Sequence, residues 1–138
     1  MKKRLLYLIL PVITLILELL PYGAVCNFAR PATDGSIGHF RELYSYFDLL
    51  PFGYANFSPL ITAVLSCLIL FLVLLYCLSD KMKLAVAAKN LLYVAVAISL
   101  GPLILGIHFF SLVGALITIS LLAELILLLR LIKISTNN

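Results

Sequence analysis

The chain has 138 residues, of which 64% are hydrophobic and only 12% charged. That is far from the roughly 45–50% and 25% of an average soluble domain, and it excludes a soluble globular protein. The formal net charge of +4 would suit a nucleic-acid ligand, but the cations are placed as topology signals and no nucleic-acid partner is expected.

A membrane-crossing helix needs about 20 mostly apolar residues. Four such runs are present: 5–24, 59–78, 91–110 and 111–132. They predict an all-α membrane protein, a single domain over 1–138, with four transmembrane helices in an up-down bundle and an outer loop over 27–57. Lys2, Lys3 and Arg4 precede the first run, Lys81, Lys83 and Lys89 separate the second from the third, and Arg130 and Lys133 close the fourth. Lys/Arg excess marks the cytoplasmic side, so both termini are expected inside the bacterial cytoplasmic membrane. The basic start resembles a secretory signal, but Pro11, Glu18 and the lack of a small-x-small site predict an uncleaved first span.

Within the first run, Tyr7, Pro11, Thr14, Glu18 and Tyr22 recur at spacings of 4, 3, 4 and 4, which places them on one helical face. Such a stripe must face protein or a wet cavity, because a charged side chain in the bilayer centre costs at least about 2.5–3.5 kcal/mol. Glu18 is therefore either a titrating or cation-binding carboxylate, or a neutral acid hydrogen-bonded to Thr14 or a neighbouring span. Pro21 removes a helical hydrogen bond, which predicts a helix ending near Leu20 with Gly23 as terminator.

The segment from Asn27 to Phe57 holds eight of the fifteen aromatic residues, the enrichment expected at a membrane interface. Phe40, Leu43, Tyr44, Phe47 and Leu50 recur at helical spacing and predict a short amphipathic interfacial helix. Pro51-Phe52-Gly53 predicts a turn. Phe40, Tyr44, Phe47, Phe52 and Tyr54 form the expected outer interaction surface. Ser58-Pro59, a cap residue followed by proline, predicts the start of the second helix.

The second run is nearly all Leu, Ile and Val, whereas the third carries small residues. Ala95/Ser99 and Ala97/Gly101 have the small-xxx-small spacing that lets helices approach closely, so this helix is expected centrally. Gly101-Pro102 predicts a kink, and His108 falls at the outer interface. In the fourth run Glu124 is a second acid, which at a rise of about 1.5 Å per residue lies deeper below the outer end of its run than Glu18. It belongs either to a proton path between the two carboxylates or to a structural contact with Arg130 reaching back while snorkelling.

Cys26, Cys67 and Cys77 lack CxxC spacing, and His39 and His108 make no metal-ligand pattern. With no phosphate loop and no nucleophile–base set, catalytic residues, metal and cofactors are expected to be none, and the chain is not expected to be an enzyme.

The strings Glu18-Leu-Leu-Pro-Tyr-Gly-Ala-Val25, Tyr44-Ser-Tyr-Phe-Asp48 and Pro51-Phe-Gly-Tyr-Ala-Asn-Phe57 resemble a family of small uncharacterised bacterial membrane proteins with four spans. The resemblance covers mainly residues 18–65 and implies membrane location, without an activity. Size and an acidic first span are also similar to small multidrug-resistance transporters, but the long loop and strong charge asymmetry argue against that family. The expected partners are the lipid bilayer and either other membrane proteins or further copies of this chain. Two functions follow: a non-enzymatic accessory or interaction component of a membrane complex, or a small proton- or cation-coupled carrier using Glu18.

Overall fold

A computed structural model describes residues 5–31, 37–48 and 56–136. The chain is mostly helical, with five α-helices, two 3-10 turns and one β-hairpin among these residues. A 3-10 turn over Leu6–Leu8 leads into α1, Ile9–Leu19. The hairpin strands are β1, Ala24–Pro31, and β2, Ile37–Tyr44. Then come α2, Ser58–Ser79, α3, Met82–Ser99, the short α4, Gly101–Leu105, a 3-10 turn over Ile107–Phe109, and α5, Leu112–Thr136.

Three stretches are long and apolar enough to cross a membrane: Ser58–Ser79, Met82–Leu105 and Leu112–Ser135. The first apolar helix, Leu6–Leu19, is shorter than predicted. At 1.5 Å per residue it measures about 21 Å, against about 30 Å of hydrocarbon core. Its end has a local cause. Leu20 turns extended, with ψ of 135°, and the Tyr22 amide donates to the Leu20 carbonyl at 2.8 Å across Pro21, whose ring fixes φ. Gly23 does not terminate this helix through a left-handed conformation, which among the described residues occurs only at Asp80 and Gly106.

The outer segment departs most from expectation. Where an interfacial helix was predicted around Phe40, Leu43, Tyr44 and Phe47, residues 37–44 form a strand paired antiparallel with β1, from Ala24 opposite Tyr44 to Pro31 opposite Ile37. The helical spacing of the aromatics is outweighed by a partner outside that window. Phe28 lies opposite Phe40, and their rings stack with centroids 5.3 Å apart, a cross-strand pair worth up to about 1 kcal/mol. Leu50 and the expected Pro51-Phe52-Gly53 turn lie outside the described residues.

The start of α2 falls where predicted, but the capping group differs. Ser58 is the first helical residue rather than its cap, and its amide donates to Asn56 Oδ1 at 3.3 Å. The third helix begins at Met82, nine residues earlier than the apolar run suggests, so Lys83 and Lys89 sit inside it. Only Asp80 and Lys81 separate α2 from α3. Asp80 takes the left-handed conformation, φ 57°, with its amide donating to Tyr76 O at 2.9 Å, a helix end that aspartate tolerates better than most residues.

In the core, α1 packs against α2 and α5, and α3 packs against the same two helices. The buried residues of α3 are Ala85, Ala88, Leu92, Ala95 and Ser99, spaced 3, 4, 3 and 4, which makes a narrow apolar seam. Of the predicted small-residue pairs, Ala95/Ser99 lies in this seam and Ala97 faces outward. The kink at Gly101-Pro102 is realised as a break between α3 and α4. A side chain at Gly101 would meet Ser58, with Cβ atoms 2.9 Å apart, so the end of α3 and the start of α2 touch closely.

Candidate functional site: a buried carboxyl and hydroxyl network

The polar side of α1 turns inward. Pro11, Thr14 and Glu18 are buried and Tyr7 is half-buried, while Tyr22, beyond the helix end, is exposed. A helix this apolar can hide only one stripe, and the stripe it hides is the one carrying its hydroxyl and its acid.

Glu18 is 0% exposed. Ser66 of α2 donates to its Oε1 at 2.7 Å, and Oε2 meets no hydrogen-bond partner among the described residues. One turn away along α1, Thr14 reaches α5. Its Oγ1 lies 2.7 Å from Ser120 Oγ, hydrogen-bonds to Glu124 Oε1 and is 3.1 Å from the Leu10 carbonyl of its own helix. A threonine hydroxyl carries one proton, so it cannot donate to Leu10 and Glu124 together. The donor pattern around Thr14 is therefore shared rather than fixed.

Glu124, 4% exposed, thus meets α1 through Thr14, while Arg130 points to the exposed side. The two acids are bonded at successive turns of α1, Glu18 on the helix itself and Glu124 through Thr14. A cavity of about 10 Å³ adjoins Glu124, with Tyr7, Pro11, Val73 and Leu128 among its walls. That is the lower bound for one water.

Above Glu18 the network is closed by the turn after β2. The Tyr46 amide donates to the Glu18 carbonyl at 2.9 Å, and the Tyr46 ring, 2% exposed, lies over Gly23. A Cβ there would stand 2.8 Å from Tyr46 Cδ1, too close for any side chain. Ser111 donates to the Gly23 carbonyl at 2.6 Å and accepts from the Gly114 amide at 2.8 Å, pinning the base of the hairpin to the start of α5. Burial pushes the Tyr46 phenol above its ordinary range, and the Glu18 carboxyl adds to the shift.

The predicted outer surface divides. Phe40 is exposed on the hairpin, Tyr44 is half-buried beside it, and Phe47 packs partly buried against the core. Phe52 and Tyr54 lie outside the described residues. Tyr44 donates to Glu42 Oε2, and this bond to a carboxylate is the main reason its phenol is pushed up to about 12. Sequence reasoning missed Ser66, Ser120 and Tyr46 as members of the network. Ser66 and Ser120 were visible only as small polar residues in apolar runs.

The fold and site define a mostly helical protein with three helices of membrane-crossing length and two buried acids. No protein family, curated protein or solved structure matches the chain.

Proposed function

We propose that the chain crosses the bacterial cytoplasmic membrane four times, with its termini inside, and serves as a non-enzymatic accessory or interaction component of a membrane complex. The observation that carries this reading is the mounting of the hairpin. Its base is tied to the helices by Tyr46 and Ser111, while one face carries the stacked pair Phe28 and Phe40, with Phe40 exposed. A rigidly mounted aromatic face is what a binding partner uses as an anchor, since fixed aromatics lose little entropy on docking and dominate interface energetics. The topology is supported by Lys81, Lys83 and Lys133, which lie toward the end of the helices opposite the hairpin.

Purification in native nanodiscs, followed by mass spectrometry, tests this. An unrelated protein is expected in stoichiometric amount with the wild-type chain. Phe40→Ser should weaken its retention near 30-fold, the equivalent of about 2 kcal/mol for an aromatic anchor. A homo-oligomer without any other protein would overturn the reading.

A second reading has its own observation, the buried and unpartnered Glu18 Oε2. An ionisable group in that setting is the usual mark of an ion or proton pathway, as in a small proton- or cation-coupled carrier. In liposomes Glu18→Gln should then abolish proton flux while leaving the elution profile and unfolding transition intact. Unchanged flux, or an unfolded variant, would remove this reading.

A further inference from the structure

Residues that alternate along a strand share a face. Opposite the face with Phe28 and Phe40, the hairpin presents Asn27 beside Arg41 and Ala29 beside His39. Asn27, His39 and Arg41 line an open cleft of about 370 Å³ together with His108 and Phe109 from the turn that precedes α5. A second cleft, about 340 Å³, shares Arg41 and is walled by Tyr22, Leu43, Ser111, Leu112 and Val113. Arg41 therefore stands where two clefts with mostly apolar surfaces meet.

The few polar groups in the first cleft include several donors. Arg41 offers a guanidinium fork, which fits phosphate oxygens in pairs, and the two imidazoles add N–H groups. No carboxylate lines either cleft among the described residues. Glu42, next in sequence to Arg41, projects from the other face and accepts from Tyr44, and Asp48 accepts from the Ser45 amide. Among the described residues nothing in the lining would neutralise the cation or attract an ammonium headgroup.

The surroundings fix the level of the cleft. Ile104, Ile107 and Leu112 are 86%, 74% and 80% exposed, and they flank the turn that carries His108. Large aliphatic side chains so placed at the end of membrane-length helices belong in acyl chains. The donors beside them then stand at headgroup height.

We infer that this cleft binds the phosphate of an anionic phospholipid, with Arg41 as the principal ligand, His39 and His108 as further donors, and Leu43, Leu112 and Val113 against the glycerol and upper acyl region. The apolar surface of both clefts distinguishes this occupant from free phosphate, which would use the donors alone.

The test is native mass spectrometry of the full chain released from nanodiscs made of equal parts phosphatidylglycerol and phosphatidylcholine. Wild-type protein should retain phosphatidylglycerol preferentially. Arg41→Gln should lower that retention about fivefold, the share of one basic residue near an anionic surface, and His39→Gln with His108→Gln should lower it further. Glu42→Gln, on the opposite face, should leave it unchanged. Equal retention of the two lipids, or an Arg41→Gln variant indistinguishable from wild type, would overturn the assignment. Arg41-dependent binding of inorganic phosphate in detergent without preferential lipid retention would also overturn it.

Discussion

Replacing Tyr46 by alanine is expected to destabilise the protein by about 3–5 kcal/mol, the range for deleting a fully buried aromatic ring. The ring fills the space between Gly23 and the first turn of α5, and a Cβ on Gly23 would come within 2.9 Å of its Cε1. Two of the residues against the ring, Gly23 and Gly114, are glycines with no side chain to fill the gap. Tyr46→Phe keeps the ring and should cost far less. Unfolding by sodium dodecyl sulfate titration in mixed micelles measures both, and equal losses for the two variants would show that the hydroxyl, not the ring, holds the hairpin. The same residue sets an alkaline limit. Because the folded-state pKa is raised above the ordinary value of about 10, its contribution is fully present below that value and is lost as pH climbs toward the folded pKa.

Thr14→Val is the second substitution with a large expected effect. Valine matches the shape of threonine, so packing is preserved while Ser120 and Glu124 both lose their partner on α1. Interhelical hydrogen bonds in membrane proteins average about 0.6 kcal/mol and reach about 1.7. Two of them give an expected loss of about 1–3 kcal/mol. The combined change Thr14→Val, Ser120→Ala and Glu124→Leu should recover most of it, since an apolar replacement of a whole buried polar set removes the unpartnered groups as well as the bonds. The same detergent titration reads this comparison. A triple variant no more stable than Thr14→Val alone would mean that the acid has a structural role beyond its bond to Thr14.

Much of the helical body was legible in the residues themselves. The 4, 3, 4 spacing from Tyr7 to Glu18 marks the face of α1 that is turned inward, Ala95 and Ser99 mark the close-packed face of α3, and Gly101-Pro102 marks the break that follows it. What stayed hidden depends on neighbours far away in sequence. The strand over 37–44 was read as a helix because Phe40, Tyr44 and Phe47 satisfy a helical period locally, whereas the competing partner of Phe40, Phe28, lies on the paired strand. In the sequence, the Asp34-Gly35 pair between the two runs is the one local hairpin signal. The early start of α3 was masked by Lys83 and Lys89, which lower hydropathy without disturbing the seam formed by Ala85 and Ala88. Ser66, Ser120 and Tyr46 could be assigned to the carboxyl network only once the helices that bear them were adjacent.

The bonds of Thr14 span 106 and 110 residues of sequence, and this separation bears on biogenesis. At about 5–20 residues per second, the ribosome delivers the groups that satisfy α1 on the order of ten seconds after α1 itself. Ser66 reaches Glu18 sooner, after 48 residues. In the interval the Thr14 hydroxyl has the Leu10 carbonyl of its own helix as its partner, and it exchanges that local bond for the interhelical ones only when the last helix arrives.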